Sequence, residues 1–121
     1  MTQAIVLFSH GSRDPLWHKP MEAVAARIAS QAPNTPVACA YLELSTPDLP
    51  TVVDQLALSG VTAVSIVPMF LGVGRHARED LPLLVAQLRQ RFPTLTLTLA
   101  PAVGENAKLV QLLADIALEG L

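Results

Sequence analysis

Short apolar runs alternate along the chain with stretches in which apolar residues recur at helical spacing. The apolar runs are rich in Val, Ile, Leu and Thr, and they occupy residues 5–8, 37–42, 61–69 and 95–100. Most are apolar at successive positions, which is typical of strands buried on both faces of a parallel sheet. Residues 94–99 instead alternate Thr with Leu, which predicts a half-exposed strand at a sheet edge.

Four apolar stripes at helical spacing predict four amphipathic helices. Thr46 followed by Pro47 predicts a helix N-cap with Pro at the first helical position, and Gly60, Pro93 and Gly104 indicate breaks. The stripes consist of Trp17, Met21, Val24, Ala25 and Ile28; of Leu49, Val52, Val53 and Leu56; of Leu81, Leu84, Val85, Leu88 and Phe92; and of Leu109, Leu112, Leu113 and Ile116.

Four successive β-α units predict an α/β fold with an open parallel sheet flanked by helices. Right-handed crossovers and one reversal of chain direction give the strand order 2-1-3-4. The length of 121 residues suits one domain spanning residues 1–121. In this order strands 1 and 3 are neighbours, and the crevice at their carboxyl ends is where such sheets bind ligands.

Two histidines and one carboxylate are predicted to reach this crevice from three different strands. His10 follows strand 1, Glu43 follows strand 2, and His76 lies in the loop after strand 3. Neutral imidazole is both a metal ligand and a base near neutral pH, and two imidazoles with a carboxylate suit Fe, Co, Ni or Zn. We therefore regard His10, Glu43 and His76 as candidate metal-binding and catalytic residues.

Each of these residues also has a purely structural interpretation. His10 alone is consistent with a residue that caps the strand end, while His76 and Glu43 alone are consistent with solvent-exposed side chains. Their joint arrival at one crevice favours the functional interpretation. His18 is interpreted as a rim or surface histidine, and Trp17 as a core residue.

The loop after strand 3 contains further candidates for ligand binding. Gly72 and Gly74 are expected to allow backbone conformations that other residues avoid, which brings the backbone close to a ligand. Met69, Phe70 and Leu71 leave the sheet as an apolar run, and they are expected either to line a ligand pocket or to pack in the core.

Basic residues are concentrated in the two key loops, at Arg13, Lys19, Arg75 and Arg78. Such a cluster suits a ligand that carries carboxylates. The alternative is that these residues pair with the acidic residues of the same loops and contribute little, and the sequence leaves both interpretations open.

Composition narrows the function classes. Hydrophobic residues make up 51% of the chain and charged residues only 15%, against about 25% in an average soluble domain, so part of the surface is expected to be buried against something else. A net charge of -2 without a basic block argues against nucleic-acid binding.

The sequence shows no signal peptide, no membrane-spanning run and one cysteine, Cys39, so we expect a cytoplasmic protein without disulfides. The P-loop, GxGxxG and GxSxG motifs are absent.

Two motifs resemble a known family. The run His10-Gly11-Ser12-Arg13-Asp14, the run from Pro68 to His76 and the following Asp80-Leu81-Pro82 are similar to the CbiX-type sirohydrochlorin chelatases, in their short form. The resemblance covers almost the whole chain, and the second motif is long and specific. It implies a chelatase half-domain fold, and it implies that His10, Glu43 and His76 handle the metal.

The resemblance also implies a function and a partner. It implies insertion of a divalent metal, Co²⁺ first and Fe²⁺ or Ni²⁺ as alternatives, into sirohydrochlorin for cobalamin or sirohaem synthesis, without a tightly bound cofactor. Longer chelatases contain two such halves around one cleft, so a homodimer is implied here. Arg13, Arg75 and Arg78 are then expected to bind the carboxylates of the macrocycle, and Met69, Phe70 and Leu71 to face its ring. The alternatives are a non-catalytic module that binds metal or tetrapyrrole, and a flavodoxin-like interaction domain whose histidines are structural.

Overall fold

A computed structural model describes residues 2–121. It is an α/β structure whose four-stranded sheet has the order β2-β1-β3-β4, with every neighbouring pair parallel. The strands are β1 (Gln3–Ser9), β2 (Val37–Tyr41), β3 (Ala63–Pro68) and β4 (Thr96–Leu99). The predicted fold class and strand order are confirmed, and β1 and β3 are neighbours along most of their length.

Each strand is followed by a helix, as the alternating pattern predicts. The helices are α1 (Lys19–Gln31), α2 (Leu49–Leu58), α3 (Arg75–Arg91) and α4 (Ala107–Leu118), and short 3-10 turns at Pro15–His18 and Val103–Glu105 precede α1 and α4. None of the helices in residues 2–121 is long and apolar enough to cross a membrane.

The core lies between one face of the sheet and the helices α2 and α3. Alternate strand residues, such as Val6 and Ile66, point into it and are fully buried. From the helices, Val53 and Val85 meet them with exposures of 0% and 1%. The stripes predicted for α2 and α3 are therefore core-facing, and α1 packs beside β2 and β1.

The edge strand β4 confirms the alternation seen in its sequence. Leu97 is buried with the core, whereas Thr96 and Thr98 on either side of it are exposed. One face of β4 therefore packs inward while the other is left open.

The start of α2 differs from its sequence-based prediction. Asp48, and not Thr46, is the N-cap, because its carboxylate accepts a hydrogen bond of 2.9 Å from the backbone N–H of Thr51. The helix begins at Leu49, so the Pro in its first turn is Pro50. Asp and Thr are both good caps, and the chain path after β2 decides between them.

Two other assignments to the core are wrong. Trp17 is 53% exposed, because the 3-10 turn that carries it has no buried residue and its indole N–H is bonded to the His10 carbonyl beyond the end of β1. The apolar stripe of α4 is also exposed, including Leu112 and Ile116, since α4 makes its main contact with the turn Val103–Glu105. Helical periodicity identifies an apolar face, but it does not identify what covers that face.

Candidate metal and macrocycle site at the carboxyl edge of the sheet

The loops after β1, β2 and β3 leave the sheet at the same edge. The backbone N–H of Leu42 donates to the carbonyl of Ser9 at 2.9 Å, and that of Met69 donates to the carbonyl of Phe8 at 2.7 Å. Sheet-type hydrogen bonding therefore continues one residue past the strand ends, and it fixes where each loop begins. His10 starts its loop between the other two.

His10 and Glu43 are in direct contact at this edge. His10 Nδ1 lies 3.3 Å from Glu43 Oε1, and the two side chains are 52% and 42% exposed. An ionised carboxylate only accepts hydrogen bonds, so Nδ1 carries the hydrogen in this pair. In the neutral imidazole, the lone pair then lies on Nε2, which has no hydrogen-bond partner within residues 2–121.

Phe70 supports the imidazole of His10 from another side. The two ring centroids are 4.7 Å apart with the planes tilted by 40°, and Phe70 also packs edge-on against Phe8. Phe70 is 4% exposed and belongs to the core, so the core-packing alternative describes its ring. Because the Phe70 ring is fixed in the core, its contact with His10 restricts the orientation of the imidazole.

His76 is the second residue of α3 and is exposed at the same edge. It lines a pocket of about 140 Å³ whose wall includes Phe70, Leu42 and Asp80. His10 and His76 thus both border Phe70. Within residues 2–121, however, no group of three His, Cys, Asp or Glu side chains comes together closely enough to hold a metal ion.

A serine joins the loops after β1 and β2. Ser45 Oγ accepts a hydrogen bond from the Ser12 N–H at 2.9 Å and donates one to the Ser12 carbonyl at 2.8 Å. Since this uses the one hydroxyl hydrogen, the contact of 3.0 Å with His18 Nε2 makes His18 the donor. His18 also stacks on Tyr41 with a centroid distance of 4.4 Å. Burial raises the pKa of the Tyr41 hydroxyl, so it stays protonated at neutral pH.

Gly11 is required between these loops. A Cβ atom at this position would overlap the carbonyl oxygen of Glu43 and lie 2.7 Å from Ser45 Oγ. By contrast, Gly72 and Gly74 have open space around the Cβ position, and Gly60 is the only glycine in the described chain with positive φ. The expectation that Gly72 and Gly74 need special backbone conformations is therefore wrong.

Sequence reasoning misses the parts played by Ser45 and His18. The sequence indicates a rim residue at His18, although its side chain is half-buried and joined to Ser45. The one signal in the sequence is that Ser45 lies two residues after Glu43. The part played by Trp17 is missed as well: its indole Nε1–H donates to the carbonyl of His10 at 2.9 Å, so it supports the backbone of the site.

A second pocket of about 240 Å³ lies beside His10. Trp17 and Met69 line it together with Ser9. The hydroxyl of Ser9 is buried and has no hydrogen-bond partner within the described residues, which distinguishes it from the other buried side chains. Met69 is half-buried, which is consistent with its place in the wall of this pocket.

The basic residues of the loops are exposed. Arg75 pairs with Glu79 at 3.2 Å, with side chains 80% and 60% exposed, so this pair contributes little to stability. Arg13 borders an open groove with Ser12 and Ser45, and Arg78 lines a pocket of about 140 Å³ beside Phe70.

Leu71 and Cys39 differ in their access to solvent. Leu71 is 67% exposed beyond Phe70, at the same edge of the sheet. Cys39 lies inside β2, and burial raises the pKa of its thiol, with the charge of Glu22 adding to the effect. The thiol is therefore protonated at neutral pH, and Cys39 is not part of the site.

The four-stranded parallel sheet with its flanking helices is the α/β fold of the CbiX and SirB structures to which the chain is similar. The family model described as CbiX matches residues 4–119, and the chain belongs to that family. It is 33% identical over 78 residues to the sirohydrochlorin cobaltochelatase of Methanothermobacter thermautotrophicus, which covers 64% of this chain and 54% of the relative. It is 28% identical over 113 residues to the sirohydrochlorin ferrochelatase of Bacillus subtilis, covering 92% and 42%.

Two solved structures show the same architecture at different lengths. The CbiX protein of Marinobacter aquaeolei has a TM-score of 0.85 and 34% identity, and the match covers 98% of this chain and 96% of that one. The sirohydrochlorin chelatase SirB of Bacillus subtilis subspecies spizizenii, in complex with cobalt, has a TM-score of 0.78 and 25% identity, covering 92% and 47%. The chain spans about half the length of the curated relatives it matches.

Proposed function

We propose that this protein is a sirohydrochlorin chelatase, which inserts a divalent metal ion into the macrocycle. The observation that carries the proposal is the contact between His10 and Glu43 at the carboxyl edge of the sheet, in a chain of the CbiX family. The relatives named as cobaltochelatase and ferrochelatase support the same reaction.

The reaction requires both a metal ligand and a base. The metal ion exchanges its water ligands for four ring nitrogens, and two pyrrole N–H protons leave as the metal complex forms. The free Nε2 lone pair of His10 suits either task, because imidazole binds borderline metals and accepts protons near neutral pH. His76 supplies a second imidazole from the neighbouring loop.

Glu43 has two tasks in this proposal. Its Oε1 orients His10 by accepting the Nδ1 hydrogen, as carboxylates do for metal-binding histidines. Its negative charge also favours a divalent cation at Nε2. We assign His10, Glu43 and His76 to the incoming metal, although residues 2–121 of the protomer alone do not bring the three side chains within reach of one ion. The ring nitrogens complete the coordination as insertion proceeds.

The surrounding loops bind the macrocycle. Arg13, Arg75 and Arg78 are exposed and available to the carboxylates at its rim, since the pair between Arg75 and Glu79 is solvent-exposed and weak. Apolar contact with the ring comes from Leu71 and Met69. Phe70, Gly72 and Gly74 belong to the loop that carries these contacts.

The partners follow from this reaction. Co²⁺, Fe²⁺ or Ni²⁺ enters as a substrate, and no tightly bound cofactor is needed. Residues 1–121 act as one chelatase domain in a homodimer, in the cytoplasm, without a nucleic-acid or membrane partner. The family similarity favours cobalt, but imidazole and carboxylate ligands accept all three metals.

The test is metal insertion into sirohydrochlorin, followed by absorbance with Co²⁺, Fe²⁺ or Ni²⁺ under anaerobic conditions. We expect the wild-type rate to exceed a control without protein, and His10→Ala and His76→Ala to lower it roughly 100-fold. Arg27→Ala, an exposed change on α1 away from this edge, is the matched control and should keep the wild-type rate. A wild-type rate equal to the spontaneous one would replace the enzyme with a metal or tetrapyrrole carrier.

The macrocycle contacts need a separate experiment. Charge reversal at Arg75 and Arg78 should raise KM for sirohydrochlorin while leaving kcat nearly unchanged, because these residues contact the rim and not the metal. An unchanged KM would remove both arginines from the binding surface.

A further inference from the structure

Ser9 has a buried hydroxyl that no group in the described chain satisfies. It is the last residue of β1, only 5% of its surface is exposed, and its Oγ has no hydrogen-bond partner within residues 2–121. A buried hydroxyl without a partner is unfavourable, whereas alanine at the same position would carry no such cost. A partner from outside the chain is therefore needed.

The hydroxyl belongs to a pocket between β1 and the start of α1. Val6 and Phe8 point into the core, so strand alternation turns Ser9 to the opposite face of the sheet, where α1 packs. There Ser9 lines the pocket of about 240 Å³ beside His10, which is called the Ser9 pocket below. One torsion angle, χ1, directs the hydroxyl, and no bond holds it elsewhere, so it is free to turn to a group that enters the pocket.

Apolar side chains form most of the remaining wall. Trp17 comes from the 3-10 turn, Pro20 and Met21 from the first turn of α1, and Met69 from the loop after β3. Trp17 is held in place by the hydrogen bond from its indole N–H to the His10 carbonyl. An apolar wall with one hydroxyl suits a short chain of methylene groups that ends in a polar group.

The start of α1 favours a negative charge on that polar group. The first turn of a helix carries a partial positive charge, and the N-cap residue His18 makes no side-chain hydrogen bond to it. Burial first, and then the charge of Glu22, raises the pKa of the Cys39 thiol in β2, so this acidic residue of the first turn lies towards β2. Among the described residues, no acidic side chain lines the pocket. A carboxylate therefore fits it.

We propose that the Ser9 pocket binds one carboxylate-bearing side arm of the macrocycle, with the Ser9 hydroxyl donating a hydrogen bond to the carboxylate. The inference rests on the proposed function, since sirohydrochlorin carries its carboxylates on short methylene arms. At about 240 Å³ the pocket is smaller than the roughly 300–1,000 Å³ of sites that enclose a whole ligand, so it takes an arm and not the ring.

The arm contact places the ring over the proposed metal site. His10 lines the Ser9 pocket, and its Nδ1 is the atom that lies 3.3 Å from Glu43 Oε1. An arm held in the pocket therefore brings the ring to the side of the sheet edge where the free Nε2 of His10 is found. Ser9 contacts the substrate away from the reacting atoms and contributes to its recognition.

The test is metal-free binding of sirohydrochlorin under anaerobic conditions, followed by the quenching of Trp17, the one tryptophan of the chain. We expect Ser9→Ala to raise Kd roughly 10-fold, since a hydrogen bond to a charged group is lost. Ser65→Ala is the matched control, because Ser65 lies in β3 on the same face of the sheet but away from the carboxyl edge. It should keep the wild-type Kd. An unchanged Kd for Ser9→Ala, or no macrocycle binding by the wild type, would overturn the inference.

Stability separates a substrate contact from a structural role for Ser9. Because the hydroxyl has no partner in the protomer, Ser9→Ala should keep or raise the free energy of unfolding of the free protein, measured by urea denaturation. A serine with a structural role would lose stability instead. A larger loss for Ser9→Ala than for Ser65→Ala would therefore contradict the proposal.

The methyl signal of Met21 gives a second readout of the bound arm. Met21 lines the Ser9 pocket from α1, outside the loop after β3 that the proposed function places against the ring. In protein with isotope-labelled methionine methyl groups, the signal is assigned by comparison with Met21→Leu. We expect the metal-free macrocycle to shift it. An unshifted Met21 signal in the saturated complex would overturn the inference.

These measurements need no metal insertion, so the two proposals fail separately. A wild type that binds the macrocycle with the expected Ser9→Ala effect, but does not accelerate insertion, would overturn the chelatase function and support the arm pocket. Insertion by the wild type together with an unchanged Kd for Ser9→Ala would overturn the arm pocket alone.

Discussion

His10 and Glu43 are 33 positions apart in the chain, yet His10 Nδ1 lies 3.3 Å from Glu43 Oε1. The contact exists because β1 and β2 are parallel neighbours with Ser9 opposite Tyr41, so the residues just past both strand ends meet. It gives the imidazole a fixed tautomer and leaves Nε2 free for a metal ion or a proton.

Removing the carboxylate should therefore lower metal insertion. We expect Glu43→Ala to reduce kcat/KM roughly 10- to 100-fold, the usual effect of losing a group that orients a metal-binding histidine. Glu43→Gln should lose less, since its amide oxygen still accepts the Nδ1 hydrogen. The measurement is insertion kinetics at several metal concentrations, with Glu119→Ala as the control at an exposed site. Equal rates for Glu43→Ala and the wild type would remove Glu43 from the site.

The serine between the loops should matter for stability. Ser45→Ala removes the contacts with Ser12 and His18, and it leaves backbone groups of Ser12 without their partner. We expect the free energy of unfolding to fall by roughly 1–3 kcal/mol, measured by urea denaturation. Ser59→Ala is the matched control, because Ser59 makes one exposed hydrogen bond to the Leu56 carbonyl. A loss no larger than that of the control would contradict this account of Ser45.

Glycine substitutions should separate steric need from loop flexibility. Gly11→Ala places a methyl group against the Glu43 carbonyl and Ser45 Oγ, so it should cost about 1–3 kcal/mol of stability. Gly72→Ala meets no atom within 4 Å and should leave the free energy of unfolding nearly unchanged. Urea denaturation of both variants measures these changes. Equal losses in the free energy of unfolding for Gly11→Ala and Gly72→Ala would show that the two loops are not packed as described.

The cap of α2 should make stability depend on pH. Hydrogen bonds from the Thr51 side chain and backbone lower the pKa of Asp48 below 3.8. A depressed pKa in the folded state means that this contribution is present above the unfolded pKa and is lost as the pH falls through the folded one. Asp48→Ala should cost about 1 kcal/mol near neutral pH.

Below pH 3.8 the difference between wild type and Asp48→Ala should shrink. Urea denaturation near neutral pH and below pH 3.8 measures this difference in the free energy of unfolding. Asp54→Ala, further along α2, serves as the control. A constant difference across this range would mean that the ionised Asp48 carboxylate does not cap the helix.

Most of the fold could be predicted because its signals are local. Continuous apolar runs identified the buried strands, and helical stripes identified α2 and α3, whose predicted faces are buried. The Thr–Leu alternation of β4 is enough to predict a half-exposed strand at the edge of the sheet. Handedness and chain reversal then left few possible strand orders, and the predicted order is the observed one.

The sequence by itself determined the order of the strands and brought His10, Glu43 and His76 to one edge, since residues after parallel strands must emerge there. The tertiary structure alone decided which side chains touch: the contact of Glu43 with His10, the bridge from Ser45 to Ser12, and the exposure of Trp17. It also decided that α4 leaves its apolar side uncovered. The reason is that periodicity reports the polarity of a surface, whereas contacts depend on the path of distant segments in space.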